Sequence, residues 1–206
     1  TPPYSLIKGT TDAQYAQMTT SEKYNLLEYH KWKFSGKVFT PLSADSKLVL
    51  MARAEFGYLG HYNKNVKSPF ESYYMGGDGM SSYSSYSTEY IAMRGYQSGS
   101  LTPYDPATGR NMGYVFNKFT MELRYPIALE QNATIWALAF VEAGNCFADI
   151  RDYNPFNLKR SAGIGVRLFL PMFGLMGIDW GWGFDPINGS TQYGGSQFHF
   201  VLGQEL

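Results

Sequence analysis

Seven segments of this chain, spread from Tyr29 to Leu206, are patterned with a period of two. Successive side chains of a strand point to opposite faces, so such a pattern reads as a long β-strand with one apolar and one polar face. In "YHKWKFSGKVFTPL", Trp32, Phe34 and Val38 share one face, and Lys31, Lys33 and Lys37 the other. In "KLVLMARAEFGYLG", Leu48, Leu50, Ala52, Ala54, Phe56 and Tyr58 oppose Arg53, Glu55 and Gly57. "NKFTMELRYP" sets Phe119, Met121, Leu123 and Tyr125 against Lys118, Thr120, Glu122 and Arg124. "SAGIGVRLFLP" and "LMGIDWGWGF" alternate large apolar residues with glycines, Arg167 and Asp179, and "SQFHFVLGQEL" puts Phe198, Phe200 and Leu202 together. The exception is "ATIWALAFVEAGN", apolar on both faces until Glu142, whose inner side therefore needs a cover. Residues 1–27 are weakly patterned and predict mostly loop.

Alternation suits a soluble sandwich and a membrane barrel equally, and the connections separate them. Short turns near 42–46, 128–133 and 171–174 alternate with long polar connections near 60–113, 145–159 and 185–195. Up-and-down membrane barrels have this form, with short periplasmic turns and long extracellular loops. Tyr58, Tyr125, Trp182 and Phe184, near strand ends, fit aromatic girdles at the two interfaces. Composition agrees. Charged residues make up 17% of the chain, below the usual quarter of a soluble domain. No run approaches the roughly 20 apolar residues of a membrane helix. With 17 basic and 17 acidic residues the formal charge is zero, which argues against a nucleic-acid partner. The single Cys146 forms no intrachain disulfide.

Seven strands do not close, because bacterial single-chain barrels have even strand counts of at least 8 and an unpaired edge in lipid is prohibitive. An eighth strand would have to come from Thr1 to Ile7. A closed eight-stranded barrel, however, has an interior just wide enough for its own side chains, with no room for the connection at 60–113. The prediction is an all-β, antiparallel transmembrane barrel of which this chain forms about seven or eight strands.

That connection contains "MGGDGMSSYSSYSTEYIAMRGYQSGS", residues 75–100, with Arg94 between a methionine and a glycine. Taken alone, an Arg-Gly pair is an ordinary turn with a surface arginine. Two carboxylates change the reading. Glu122 lies on the polar face of the strand after the loop, and Glu142 interrupts an apolar strand one further on. Both would point into the lumen, where an isolated charge is costly and an arginine fork is the natural partner. A loop folded into the lumen would bring Arg94 to both and would cover Trp136, Leu138 and Phe140. The long loop is then an internal strut with Arg94 as its anchor.

At these residues the chain resembles the surface-antigen family of BamA-type assembly and secretion barrels. The family's loop carries a Gly-Gly pair and an aliphatic-Arg-Gly-aromatic motif, here Gly76-Gly77 and Met93-Arg94-Gly95-Tyr96. The motif arginine pairs with acidic residues of the next two strands, which fall on Glu122 in "MELRYP" and Glu142 in "FVEAGN". "SGKVFTPL", "ARAEFGY", "SAGIGVRLFLP" and "FHFVLGQ" follow in the family's order. Two departures stand out. The stretch between Gly77 and Arg94 is longer than in the familiar form and rich in Ser and Tyr, so that its tip is expected to emerge as a surface element. The chain also ends in Leu206 where the family usually has an aromatic residue.

The resemblance implies a barrel of 16 strands, an even count, with this chain as its C-terminal part and no POTRA domain within residues 1–206. It implies a Gram-negative outer-membrane protein that folds and inserts other β-barrels without ATP, covalent chemistry, cofactor or metal. Its partners would be the rest of the barrel and the POTRA domains, accessory lipoproteins, client barrels and outer-membrane lipids. In this scheme the first and last strands meet at a weak seam, and an opened edge offers unpaired backbone to a client strand. Phe198, Phe200, Leu202 and Gly203 lie on the seam strand, expected over Gln197–Leu206, and Gly203 weakens pairing there or simply packs closely. Sister barrels acting in translocation or two-partner secretion share the motif. A passive porin explains neither glycine motif. An outer-membrane phospholipase needs a Ser/His pair, whereas His30, His61 and His199 are scattered and no G-x-S-x-G occurs. No catalytic residue and no metal-ligand spacing is expected.

Overall fold

Long strands form where the alternation is cleanest. The computed structural model describes residues 1–19, 21, 22, 28–62, 68, 70–80, 87–106, 109–130 and 132–203. Strands β1 (Tyr29–Pro41) and β2 (Val49–His61) are joined by a tight turn. The long connection that follows contains the short strands β3 (Glu71–Met75), β4 (Ser87–Ile91), β5 (Tyr104–Asp105) and β6 (Arg110–Asn111). Then come β7 (Val115–Leu129), β8 (Thr134–Phe147), β9 (Lys159–Leu170), β10 (Gly174–Pro186) and β11 (Tyr193–Leu202). The seven long strands make one sheet in the order β1-β2-β7-β8-β9-β10-β11, every pair antiparallel. They run from 10 to 15 residues, enough for the roughly 9–11 that a tilted strand needs to cross a bilayer. Pro126, which lacks a backbone N–H, sits at the register shift between Pro126 and Ala128 in β7.

The two faces differ as the pattern predicts. Trp32, Phe34, Leu123, Ile164, Val166, Trp180, Phe198 and Phe200 all project outward and are exposed, Phe198 at 66% and Ile164 at 60%. A soluble domain would bury these side chains, and a lipid-facing wall presents them. Lys118, Thr120, Glu122, Glu142, Arg167, Asp179 and His199 project inward and are buried. Burial of so many polar groups needs a partner inside, and the long connection supplies it. Its apolar residues Tyr73, Met75, Ile91, Met93, Tyr96 and Leu101 pack with Leu59, Phe116 and Cys146 of the wall into one buried cluster. The loop is fastened to itself by the parallel pairing of β3 with β4 and to its own end by the Tyr73–Gly113 bridge. Leu138 and Phe140 are covered, and Trp136 is half-buried.

The ends depart from expectation. Residues Thr1 to Ile7 give no eighth strand: Tyr4–Lys8 is a short helix, α1, and Asp12–Gln17 a second, α2. The Ser5 N–H bonds the Glu28 carboxylate at 2.8 Å, which folds α1 back onto the start of β1 rather than along a sheet edge. The last strand starts at Tyr193 rather than Gln197 and is described to Leu202; of the expected end, residues 204–206 lie outside the described residues. Gly203 has φ +70° and donates to the Leu175 carbonyl at 2.7 Å, so it extends the contact with β10 by one bond. Among the described residues β1 and β11 do not pair with each other. The sheet is an open section of barrel wall.

Candidate functional site

The turn Met93–Tyr96 is held by glycines on both sides. Gly76 and Gly77 have φ of +123° and +79°, backbone that only glycine adopts without strain. Gly77 donates to the Tyr96 carbonyl and accepts from the Met93 N–H, both at 3.0 Å, so the Gly-Gly pair clamps the Arg-Gly-Tyr turn from behind. In front of it the wall is bare. A Cβ at Gly183 would lie 2.4 Å from the Gly95 carbonyl oxygen, one at Gly194 2.5 Å from the same atom, and one at Gly181 2.8 Å from the Gly95 nitrogen. The alternating glycines of β10 are a floor onto which loop backbone packs directly. Tyr96, fully buried, reaches across it: its hydroxyl donates to the Arg160 carbonyl at 2.9 Å and accepts from the Asp185 N–H at 3.2 Å.

This seating places Arg94, with 0% exposure, among three carboxylates. Its Nε and Nη2 donate to Glu142 at 3.1 and 2.8 Å, Nη2 also to Glu122 at 2.6 Å, and Nη1 to Asp179 at 3.2 Å. Its backbone N–H adds a bond to Glu142 at 2.8 Å. The guanidinium lies 3.7 Å from the centroid of the Phe140 ring, a stacked cation–π contact. Burial opposes the Arg94 charge, but Glu142, Glu122 and Asp179 outweigh it and hold the guanidinium above its usual range. Each carboxylate also keeps a cation of its own on the wall. Lys118 is 3.1 Å from Glu142, Arg124 2.6 Å from Glu122, and Arg167 grips Asp179 at 2.6 and 2.7 Å.

The structure therefore brings together Gly76, Gly77, Met93, Arg94, Gly95, Tyr96, Glu122 and Glu142, and adds partners that the sequence reading left aside. Asp179 is 85 residues from Arg94, and its strand alternates it with glycines, which made it look like ordinary polar facing. His199, one of the three scattered histidines, accepts the Gly95 N–H on Nε2 at 2.8 Å across 104 residues. His30 packs edge-on against Tyr58 and Tyr62 and accepts from the Trp32 indole at 3.1 Å. Phe198, Phe200 and Leu202 point outward from β11, on the face opposite His199. Among the described residues no group of His, Cys, Asp or Glu is arranged to hold a metal ion.

The geometry ties one turn of a lumen loop to β7, β8, β9, β10 and β11 at once. An open wall of lipid-facing strands with a long loop fastened inside defines a class, the barrels that carry an inserted lumen loop. The model of the Omp85 superfamily domain matches residues 10–206, and the chain belongs to that family of outer-membrane β-barrels. Among solved structures it is similar to BamA from Haemophilus ducreyi lacking POTRA domains 1–3. The TM-score is 0.60 at 19% identity, over 84% of this chain. This chain spans 35% of the length of that one. No curated protein sequence matches this chain.

Proposed function

We propose that this chain is the C-terminal part of an assembly factor that folds and inserts β-barrel proteins into the Gram-negative outer membrane. The observation that carries this reading is the docking of the Arg94 turn on five neighbouring strands, which ends on β11, the last strand described. A barrel that only conducts solutes needs no backbone bond between its loop and that strand. A barrel whose last strand must open for a client needs something that holds the lumen and the neighbouring strands in register while it does. The rest of the barrel, POTRA domains and accessory lipoproteins are the partners this reading requires, and the work is done by strand exchange, without covalent chemistry.

The test is replacement of the only cellular copy of the full protein by Arg94→Ala. Reduced surface levels of many unrelated barrel proteins support the reading. Normal barrel levels with loss of one exported substrate would instead assign the chain to the translocation or secretion branch of the family.

A further inference from the structure

The tip of the Ser/Tyr-rich stretch between the two glycine motifs, residues 81–86, expected as a surface element, lies outside the described residues, and the end of the stretch folds into β4. That strand pairs in parallel with β3 and brings Glu89 beside Tyr73, so that Glu71 and Glu89 sit on neighbouring strands of one ribbon. The ribbon faces β1, on the opposite side of the described sheet from β11. Lys31 lies 3.0 Å from Glu89 and 3.3 Å from Glu71, and its ammonium sits 5.6 Å above the Tyr73 ring. Lys33 pairs with Glu89, and the Tyr29 hydroxyl donates to Glu71. These side chains are a fifth to two-fifths exposed, at the border between lumen water and the loop. Burial alone would raise the Glu89 carboxyl, but the bonds and charges of Lys33 and Lys31 hold it below its usual range. The β1 face that carries these lysines is the one the alternation marks as inward, and no other described acidic residue is paired with either of them.

We propose that Glu71 and Glu89, with Tyr29, Lys31 and Lys33, form a second, independent fastening of the loop. Together with the Arg94 turn it spans the lumen from β1 to β11 and closes it to solutes. β4 is then what allows the reach: without it there is no Glu89 and only Glu71 faces β1. A loop tied at one end swings about that end, and a loop tied at both ends is a bar across the pore. The proposal goes beyond the assembly reading and does not depend on it, because it concerns permeation.

The experiment uses the full protein in its own cells and, purified, in planar bilayers. Lys31→Glu with Lys33→Glu places like charges against Glu71 and Glu89; adding Glu71→Lys and Glu89→Lys in the same chain restores opposite charges. Heat-modifiable gel migration reports that each barrel is folded. If the double reversal does not fold, Lys31→Gln with Lys33→Gln is read in the same way. The expected result is on the order of a tenfold rise in open-channel events for the lysine variant, the size of one lost set of charge-assisted bonds. Sensitivity to a large antibiotic normally excluded by the outer membrane should rise with it, and both should return to wild type in the charge swap. Wild-type conductance in the lysine variants, or failure of the swap to reverse a rise, overturns the second fastening. Client-barrel levels are measured in the same strains, so a failure of the assembly reading shows there and leaves the conductance result intact.

Discussion

Arg94→Ala removes a cation that the loop contributes to the wall, and the structure sets how much that should cost. Removing one partner of a buried ion pair typically costs about 3–5 kcal/mol, because the survivor is left buried and uncompensated. Here no carboxylate is stranded. Three acids, Glu122, Glu142 and Asp179, face four cations, Arg94, Arg124, Lys118 and Arg167. Without Arg94 each acid keeps its wall partner, and the cluster passes from one surplus positive charge to neutral. What is lost is the set of charge-assisted bonds and the stacking on Phe140, offset by the relief of that surplus. We expect about 2–3 kcal/mol, taken from the docking of the loop and not from the sheet. That is about a 30- to 150-fold rise in the undocked fraction. Hydrogen exchange on the purified protein in nanodiscs measures it directly. The Gly95 and Met93 amides, bonded to His199 and to the Gly77 carbonyl, should exchange faster by that factor while amides of β8 to β10 keep their protection. Loss of protection throughout β8 to β10 would mean that the wall pairs do not stand alone. Unchanged exchange at Gly95 would mean that Arg94 does not hold the turn. Either outcome refutes the charge count.

Glu142→Gln should cost more than Arg94→Ala, about 3–5 kcal/mol, because it leaves Arg94 and Lys118 facing each other across a neutral amide. Thermal unfolding of the two variants side by side gives the order. Arg94→Lys should fall between wild type and alanine in the same exchange assay, since an ammonium cannot serve three carboxylates from one plane. Gly183→Ala should eject the turn, because a methyl group there falls 2.4 Å from the Gly95 carbonyl oxygen. Protease cleavage within residues 93–96, absent in wild type, is the readout. His199→Leu leaves the Gly95 N–H without an acceptor and should cost about 1–3 kcal/mol. His199→Gln, which keeps an acceptor, should recover most of it in the same denaturation series.

Much of this was legible because membrane strands state their geometry in every second residue. Six alternating runs and one apolar on both faces correspond to the seven long strands, and the turn lengths told which end of the wall each connection lies on. Glu142 was legible as a fault in an otherwise apolar strand, and a fault of that kind asks for a cation. Asp179 was not, because a polar residue between glycines breaks no pattern. His199 was opaque for a different reason: its partner is a backbone N–H, which every residue but proline carries, so no residue type announces the bond. The two terminal helices rest on contacts of a few residues, too short for periodicity to speak. The pairing of β3 with β4 is parallel and spans a connection whose path only the folded loop fixes, so alternation within the five residues of β3 could not reveal it.

The bonds of the Arg94 turn reach 28, 48, 85 and 104 residues along the chain. Contacts of such separation form late, since the loops they close must be closed first. The turn has no complete seat until β11 has joined β10, because the floor, Asp179 and His199 come from those two strands. The docked turn is therefore expected only after the β10–β11 hairpin has formed. The order of assembly is written into where Glu122, Glu142, Asp179 and His199 lie along the chain.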